Sequence, residues 1–195
     1  MKLIFSNTIF LLIAFFIQNC HSQNGFTINS GETANGRVRL NSKANFKFTD
    51  WIANIPEDKN LEGKFIVLEF WASWCKPCLE QVSHLNELQS KFNDKNLYFI
   101  SMTDEKPDVV KSILKRVHFE SIVVSDQRKI NTFWNGGIKK LILPFTILID
   151  DEGYIKWIGT PSLLREKDIQ DLMTKKIIPF NLYEREKSET TQINI

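Results

Sequence analysis

An α/β fold with a mixed central sheet, parallel in its early strands and antiparallel at its end, is predicted by three observations. Short apolar runs, "FIVLEF", "SIVVS" and "PFTILI", read as strands, the first with the β-branched and aromatic profile of one covered on both faces. Between them, Leu79, Val82, Leu85, Leu88 and Phe92 recur at helical spacing. Near the end, Asp150-Asp151-Glu152-Gly153 separates two apolar runs, a hairpin signal that turns the last strands antiparallel.

Taken in order, the chain opens with Met1-Lys2 and the uninterrupted apolar run "IFLLIAFFI" at 9–17, followed by the small and polar "QNCHSQN". That is the layout of a secretory signal, with residues 1–22 removed and the mature chain exported, to the periplasm or beyond. A retained membrane span is the weaker alternative, because about 20 apolar residues are needed and Ser6-Asn7-Thr8 interrupt the run. Cys20 admits a second alternative, lipidation as the first residue of a bacterial lipoprotein and hence membrane attachment. "IQN" before it is a poor match to that processing pattern, and cleavage after Ser22 would discard the cysteine.

Residues 23–43, rich in Asn, Ser, Thr and Gly, read as a flexible lead-in with a short "RVRL" alternation. "NFKFTDW" alternates, placing Phe46 and Phe48 on one face of an edge strand. Strands are expected at 65–70, 96–101, 121–125, 144–149 and 154–159. Helices are expected at 75–92, at 106–117 behind the first-turn Pro107, at 126–134 ended by Asn135-Gly136-Gly137, and at 162–178. The polar stretch 179–195 reads as a tail.

The 195 residues, 43% apolar and 12% aromatic, suit one domain with a real core. A formal charge of +2, from 25 basic and 23 acidic residues interspersed along the chain, forms no basic stripe, so nucleic acid is not an expected partner.

The chemistry concentrates in "FWASWCKPCLEQ", residues 70–81. Exported domains commonly use cysteines as crosslinks, but Cys75 and Cys78 close almost no loop and so constrain the unfolded chain little. As reagents they make sense. Cys75 falls where a helix begins, so free amide hydrogens and the positive helix end stabilise its thiolate, and Lys76 adds charge of the helpful sign. Cys78 lies within disulfide reach and would resolve a mixed disulfide made by Cys75. Pro77 is tolerated in a first turn that has no internal bond to lose. Trp74 either shields the disulfide or simply packs. Glu69 is the odd residue of its strand: burial would favour its neutral form, and the bland alternative is an outward-facing carboxylate paired with a lysine.

"VLEFWASWCKPC" resembles the active-site strand, turn and helix of the thioredoxin superfamily. Residues 60–92 together with "LPFTILIDDEGYIKWIG" resemble its extracytoplasmic TlpA/ResA-like branch, over about 44–178. The resemblance implies a thioredoxin-like domain with an N-terminal strand extension and a helix-strand insertion around 106–125. It implies a monomeric enzyme, a protein thiol-disulfide oxidoreductase that needs no cofactor. Its partners would be protein disulfides or dithiols, apocytochrome c thiols among them, and a membrane-embedded electron donor. In that family a cis-proline opposite the CxxC shapes the substrate groove, which implies Pro144 in that role and Leu143 offering backbone groups to an extended substrate. An acidic residue at the place of Glu69 exchanges the proton of the second cysteine.

Members of that branch often carry Glu three residues after the second cysteine and Pro two beyond it, where this chain has Gln81 and Ser83; Glu80 is rotated around the helix and inherits no role. The Lys-Pro dipeptide lacks the histidine of strongly oxidising members, which favours a reductant. The alternative is a copper-handling carrier, since soft thiolates suit Cu(I), but related carriers use CxxxC with a distal histidine. Zinc wants about four ligands, and one CxxC with the remote His84 and His118 leaves the set short. A peroxiredoxin-like peroxidase would want Thr where Ala72 stands. Trp51, Trp134 and Trp157 read as core or surface aromatics.

Overall fold

The computed structural model describes residues 38–44, 48–92, 94–126 and 143–182. The expected signal, Cys20, Phe46, most of the 126–134 helix with Trp134, and the end of the tail lie outside them.

Among the described residues, seven strands form one mixed sheet in the order β1-β4-β3-β2-β5-β6-β7. They are β1 (Asp50–Ala53), β2 (Phe65–Phe70), β3 (Leu97–Thr103), β4 (Ile122–Ser125), β5 (Phe145–Ile149), β6 (Ile155–Gly159) and β7 (Phe180–Asn181). β2, β3 and β4 run parallel, while β5 is antiparallel to both β2 and β6, as the apolar runs and the hairpin signal predict. The turn of that hairpin is built by Asp150, whose Oδ1 accepts the Glu152 and Tyr154 amides at 3.1 and 2.7 Å. Gly153 closes it at φ 85°, a conformation that a side chain would disfavour.

Among the described residues, three helices pack on the sheet: α1 (Lys76–Ser90), α2 (Pro107–Leu114) and α3 (Glu166–Met173). Their face of the sheet carries two apolar groups. α1 and α3 cover Val67, Phe99, Leu148 and Trp157, whereas α1 and α2 cover Trp71 and Val123. The opposite face is a continuous layer of Ile66, Leu68, Phe70, Ile100, Met102, Phe145, Ile147 and Ile149, with Ala44, Leu61 and Trp51 against it. Burial of each such side chain contributes about 1.5–3 kcal/mol. This is why β2 and β5 read as unbroken apolar runs rather than alternating ones.

Three elements differ from expectation. The edge strand begins at Asp50 rather than at residue 45, because the Thr49 amide and hydroxyl both donate to the Ser125 carbonyl and the ladder with β4 starts there. Phe48 instead packs edge-on against Trp51, ring centroids 5.5 Å apart. The helix expected over 162–178 is half as long: Pro161–Leu163 form a 3-10 turn, and α3 starts afresh from an Arg165/Asp168 capping box. It ends where the Thr174 hydroxyl bonds back to Gln170 O and Lys175 turns left-handed at φ 56°. Finally, Phe180 and Asn181, in the stretch read as tail, pair with Trp157 and Ile158, stacking Phe180 on Trp157 at 5.6 Å. The start of β6 is bordered instead by the lead-in, through Asn41 N–H to Ile155 O and a Lys43–Tyr154 bridge.

Candidate active site

β2 delivers the chain to the site. After Phe70 the Trp71 amide still bonds Met102 O at 3.0 Å, and the Cys75 amide then closes a turn on Ala72 O at 3.0 Å. Cys75 is the N-cap of α1, and its Sγ accepts the Cys78 amide at 3.3 Å. The sulfur thus sits on a first-turn peptide donor at the positive end of a helix, the setting that favours a thiolate. Pro77 occupies the first turn, where its missing N–H removes nothing.

Cys75 and Cys78 are joined in a disulfide, Cα atoms 5.3 Å apart and sulfurs at 2.03 Å. The residual exposure belongs to Cys75, at 3% against 0% for Cys78. Both sulfurs join the apolar group of Trp71, Ala72, Val82 and Val110, against which Leu143 also packs. The Leu143–Pro144 peptide is cis, and Leu143, far from the cysteines in sequence, packs against the apolar group that holds them both.

Trp74 is 74% exposed, so the packing alternative fails and it presents an indole to solvent beside the nucleophile. Lys76 is also exposed and pairs with Glu80 at 3.7 Å; shared with that carboxylate and screened by water, its charge contributes less to Cys75 than the sequence suggests. α1 is continuous through Gln81 and Ser83. His84 Nε2 lies 3.0 Å from Leu164 O and His118 Nε2 lies 2.9 Å from Glu120 Oε1. No cluster of three or more metal-ligating side chains forms among the described residues.

Glu69 points inward, which removes the lysine-pair reading. It alternates with Val67 and Trp71 on the face that α1 covers, and it is 1% exposed. Ser101, its cross-strand neighbour, donates to Oε2 at 3.2 Å, and Ser101 Oγ lies 2.7 Å from Ser121 Oγ. Glu69 Oε1 and Thr146 Oγ1, side by side across β2 and β5, have no partner among the described residues. Burial pushes the carboxyl up to about 8, against the smaller opposite effect of the Ser101 hydrogen bond. At neutral pH the group is therefore poised to hold or release a proton beneath α1.

Sequence reasoning missed Ser73, Ser101, Ser121 and Glu105. A lone serine at the Glu69 register of "LYFISMT" was a usable signal for Ser101. Glu105 lies in "TDEKPD", which reads as an ordinary solvated loop, yet its carboxylate bonds Ser73 in the active-site turn.

The arrangement suits the exchange of one disulfide for another, because it sets a CxxC disulfide at a helix start, its first sulfur on a first-turn amide, at the end of a strand that carries a buried titrating acid. The Redoxin family model matches residues 55–174. ResA thiol-disulfide oxidoreductases from Bacillus thuringiensis (strain Al Hakam) and Bacillus anthracis are each 32% identical over 136 residues, which is 67% of this chain and 76% of theirs. A candidate protein disulfide isomerase from Bacteroides thetaiotaomicron superposes with a TM-score of 0.50 at 20% identity, over 58% of this chain and 76% of that one, a likeness of fold. The chain belongs to the Redoxin family and, within the thioredoxin superfamily, to its TlpA/ResA-like thiol-disulfide oxidoreductases.

Proposed function

We propose that this enzyme is a monomeric, extracytoplasmic reductant of protein disulfides. The observation that carries the reading is Cys75 Sγ at the N-cap of α1, within the apolar group against which Leu143 packs. In the reduced enzyme the Cys75 thiolate attacks a substrate disulfide, forming a mixed disulfide and releasing one substrate thiolate. Cys78, its proton taken by Glu69, then attacks the Cys75 sulfur and frees the second substrate thiolate. Both released thiolates take protons. Two electrons have moved to the substrate, and the enzyme is left as the Cys75–Cys78 disulfide seen here. A membrane-embedded dithiol donor reverses the exchange, and no cofactor enters.

Pro144 shapes the groove and Leu143 offers its backbone to an extended client, with Trp74, Lys76 and Pro77 on the rim; apocytochrome c thiols are one such client class. Among the described residues no helix is long and apolar enough to cross a membrane. Export through residues 1–22, or attachment through Cys20, rests on the sequence pattern.

The test joins a redox titration to trapping. A potential near the thioredoxin value of about −270 mV supports the reductant, and one near −120 mV reverses the direction. Cys78→Ala should accumulate mixed disulfides through Cys75, while Cys75→Ala accumulates none. Stoichiometric Cu(I) binding with no trapped protein would replace the reading by copper carriage.

A further inference from the structure

Glu105 lies between β3 and α2, thirty-two residues from the turn it grips. Its Oε2 accepts the Ser73 amide at 2.5 Å and its Oε1 accepts the Ser73 hydroxyl at 2.5 Å. Thr103 reinforces the carboxylate, with its hydroxyl 3.4 Å from Oε2 and its Oγ1 accepting the Glu105 amide at 3.3 Å. The Glu105 carbonyl in turn accepts the Ser125 hydroxyl, so β3 and β4 both hold the loop in place. A negative charge is thereby fixed on the peptide two residues before Cys75.

Its consequence follows from the same physics that favours a thiolate at a helix start: donors and positive potential stabilise the anion, and a carboxylate bound to those donors opposes it. Other ionisable groups surround the turn. Lys76 and Glu80 on α1 pair with each other in solvent. Glu69 on β2 is buried, Asp104 and Lys106 flank Glu105 in exposed positions, and Asp126 follows β4, its amide on Thr103 O. Glu105 meets the turn itself, through two direct bonds to Ser73.

We propose that Glu105 is a positioning residue that fixes the 71–75 turn and, through its charge, holds the Cys75/Cys78 couple on the reducing side. The inference rests on Cys75 being the attacking thiol. Disfavouring the thiolate destabilises the dithiol form relative to the disulfide, which makes the dithiol a better electron donor.

Glu105→Gln separates charge from grip. The amide oxygen still accepts the Ser73 N–H, while the amide nitrogen donates to a Ser73 hydroxyl that has turned its hydrogen away. In the full chain, the pH dependence of Cys75 alkylation by iodoacetamide should move down by about one unit, as expected on losing a negative charge bound to the turn that carries the thiol. The equilibrium with glutathione should shift about tenfold towards the dithiol, about 30 mV for two electrons. Glu105→Asp, which keeps the charge on a shorter arm, should stay within about twofold of the wild type. If Glu105→Gln leaves both the alkylation profile and the glutathione constant unchanged, or moves them the other way, the inference is overturned whatever happens to the unfolding midpoint. A tenfold change in Glu105→Asp overturns it equally. Because these readouts are differences between variants, their failure is distinct from failure of the trapping that tests the function itself.

Discussion

Glu69→Gln is the perturbation that reads most directly on the buried acid. In the native chain the carboxyl is displaced from 4.5 to about 8 by burial, with the Ser101 hydrogen bond pulling the other way. A carboxyl raised in the folded state binds more protons there than in the unfolded chain between those two values. Its contribution is therefore fully present below pH 4.5, declines as pH rises, and has been lost above about pH 8. At about 1.36 kcal/mol per pH unit, the loss is about 3 kcal/mol by pH 7 and about 5 kcal/mol by pH 9. Glutamine cannot ionise, so its own effect, that of a buried amide in place of a carboxyl, is the same at every pH. Urea unfolding of the oxidised proteins at pH 5, 7 and 9 should show the variant gaining on the wild type along this curve. With a slope of about 2 kcal/mol per molar urea, the relative midpoint should move by about 2 M between the extremes. An equal gap between the two proteins at pH 5 and pH 9 would refute the claim that the carboxyl is held in a water-excluded site.

Two further substitutions probe the surroundings. A Cβ on Gly159 would lie 2.5 Å from Trp157 Cη2 and 2.9 Å from its Cζ2, so Gly159→Ala must displace a ring packed between β6 and β7; thermal or urea unfolding should report a loss of about 1–3 kcal/mol. Trp74→Ala removes an exposed indole, so stability should stay within about 0.5 kcal/mol while kcat/KM for reduction of a protein disulfide falls several-fold, with reduction of a small disulfide much less affected. Equal loss on both substrates would place Trp74 in the chemistry rather than in client contact.

What was legible in advance followed from local rules. "FIVLEF" and "PFTILI" became the central pair β2 and β5 because an apolar run without alternation has few homes other than a strand covered on both faces. The stripe from Val82 to Leu88 placed α1, and the Asp150–Gly153 turn carried its own bonds. Edges were less legible. Where β1 starts depends on Ser125, and where α3 starts depends on the Pro161 turn and the Asp168 side chain, so a window of neighbouring residues misplaced both.

The amino-acid order by itself determined the strand-turn-helix that puts Cys75 on a helix start and Cys78 one turn on, since propensity, capping and spacing all act within a few residues. Only the tertiary structure decided that Glu69 faces inward to Ser101, that Glu105 grips Ser73, and that Leu143 packs against the apolar group holding the cysteines. The two polar contacts join residues thirty-two apart, and sheet register and burial, which exist only once distant strands meet, select them.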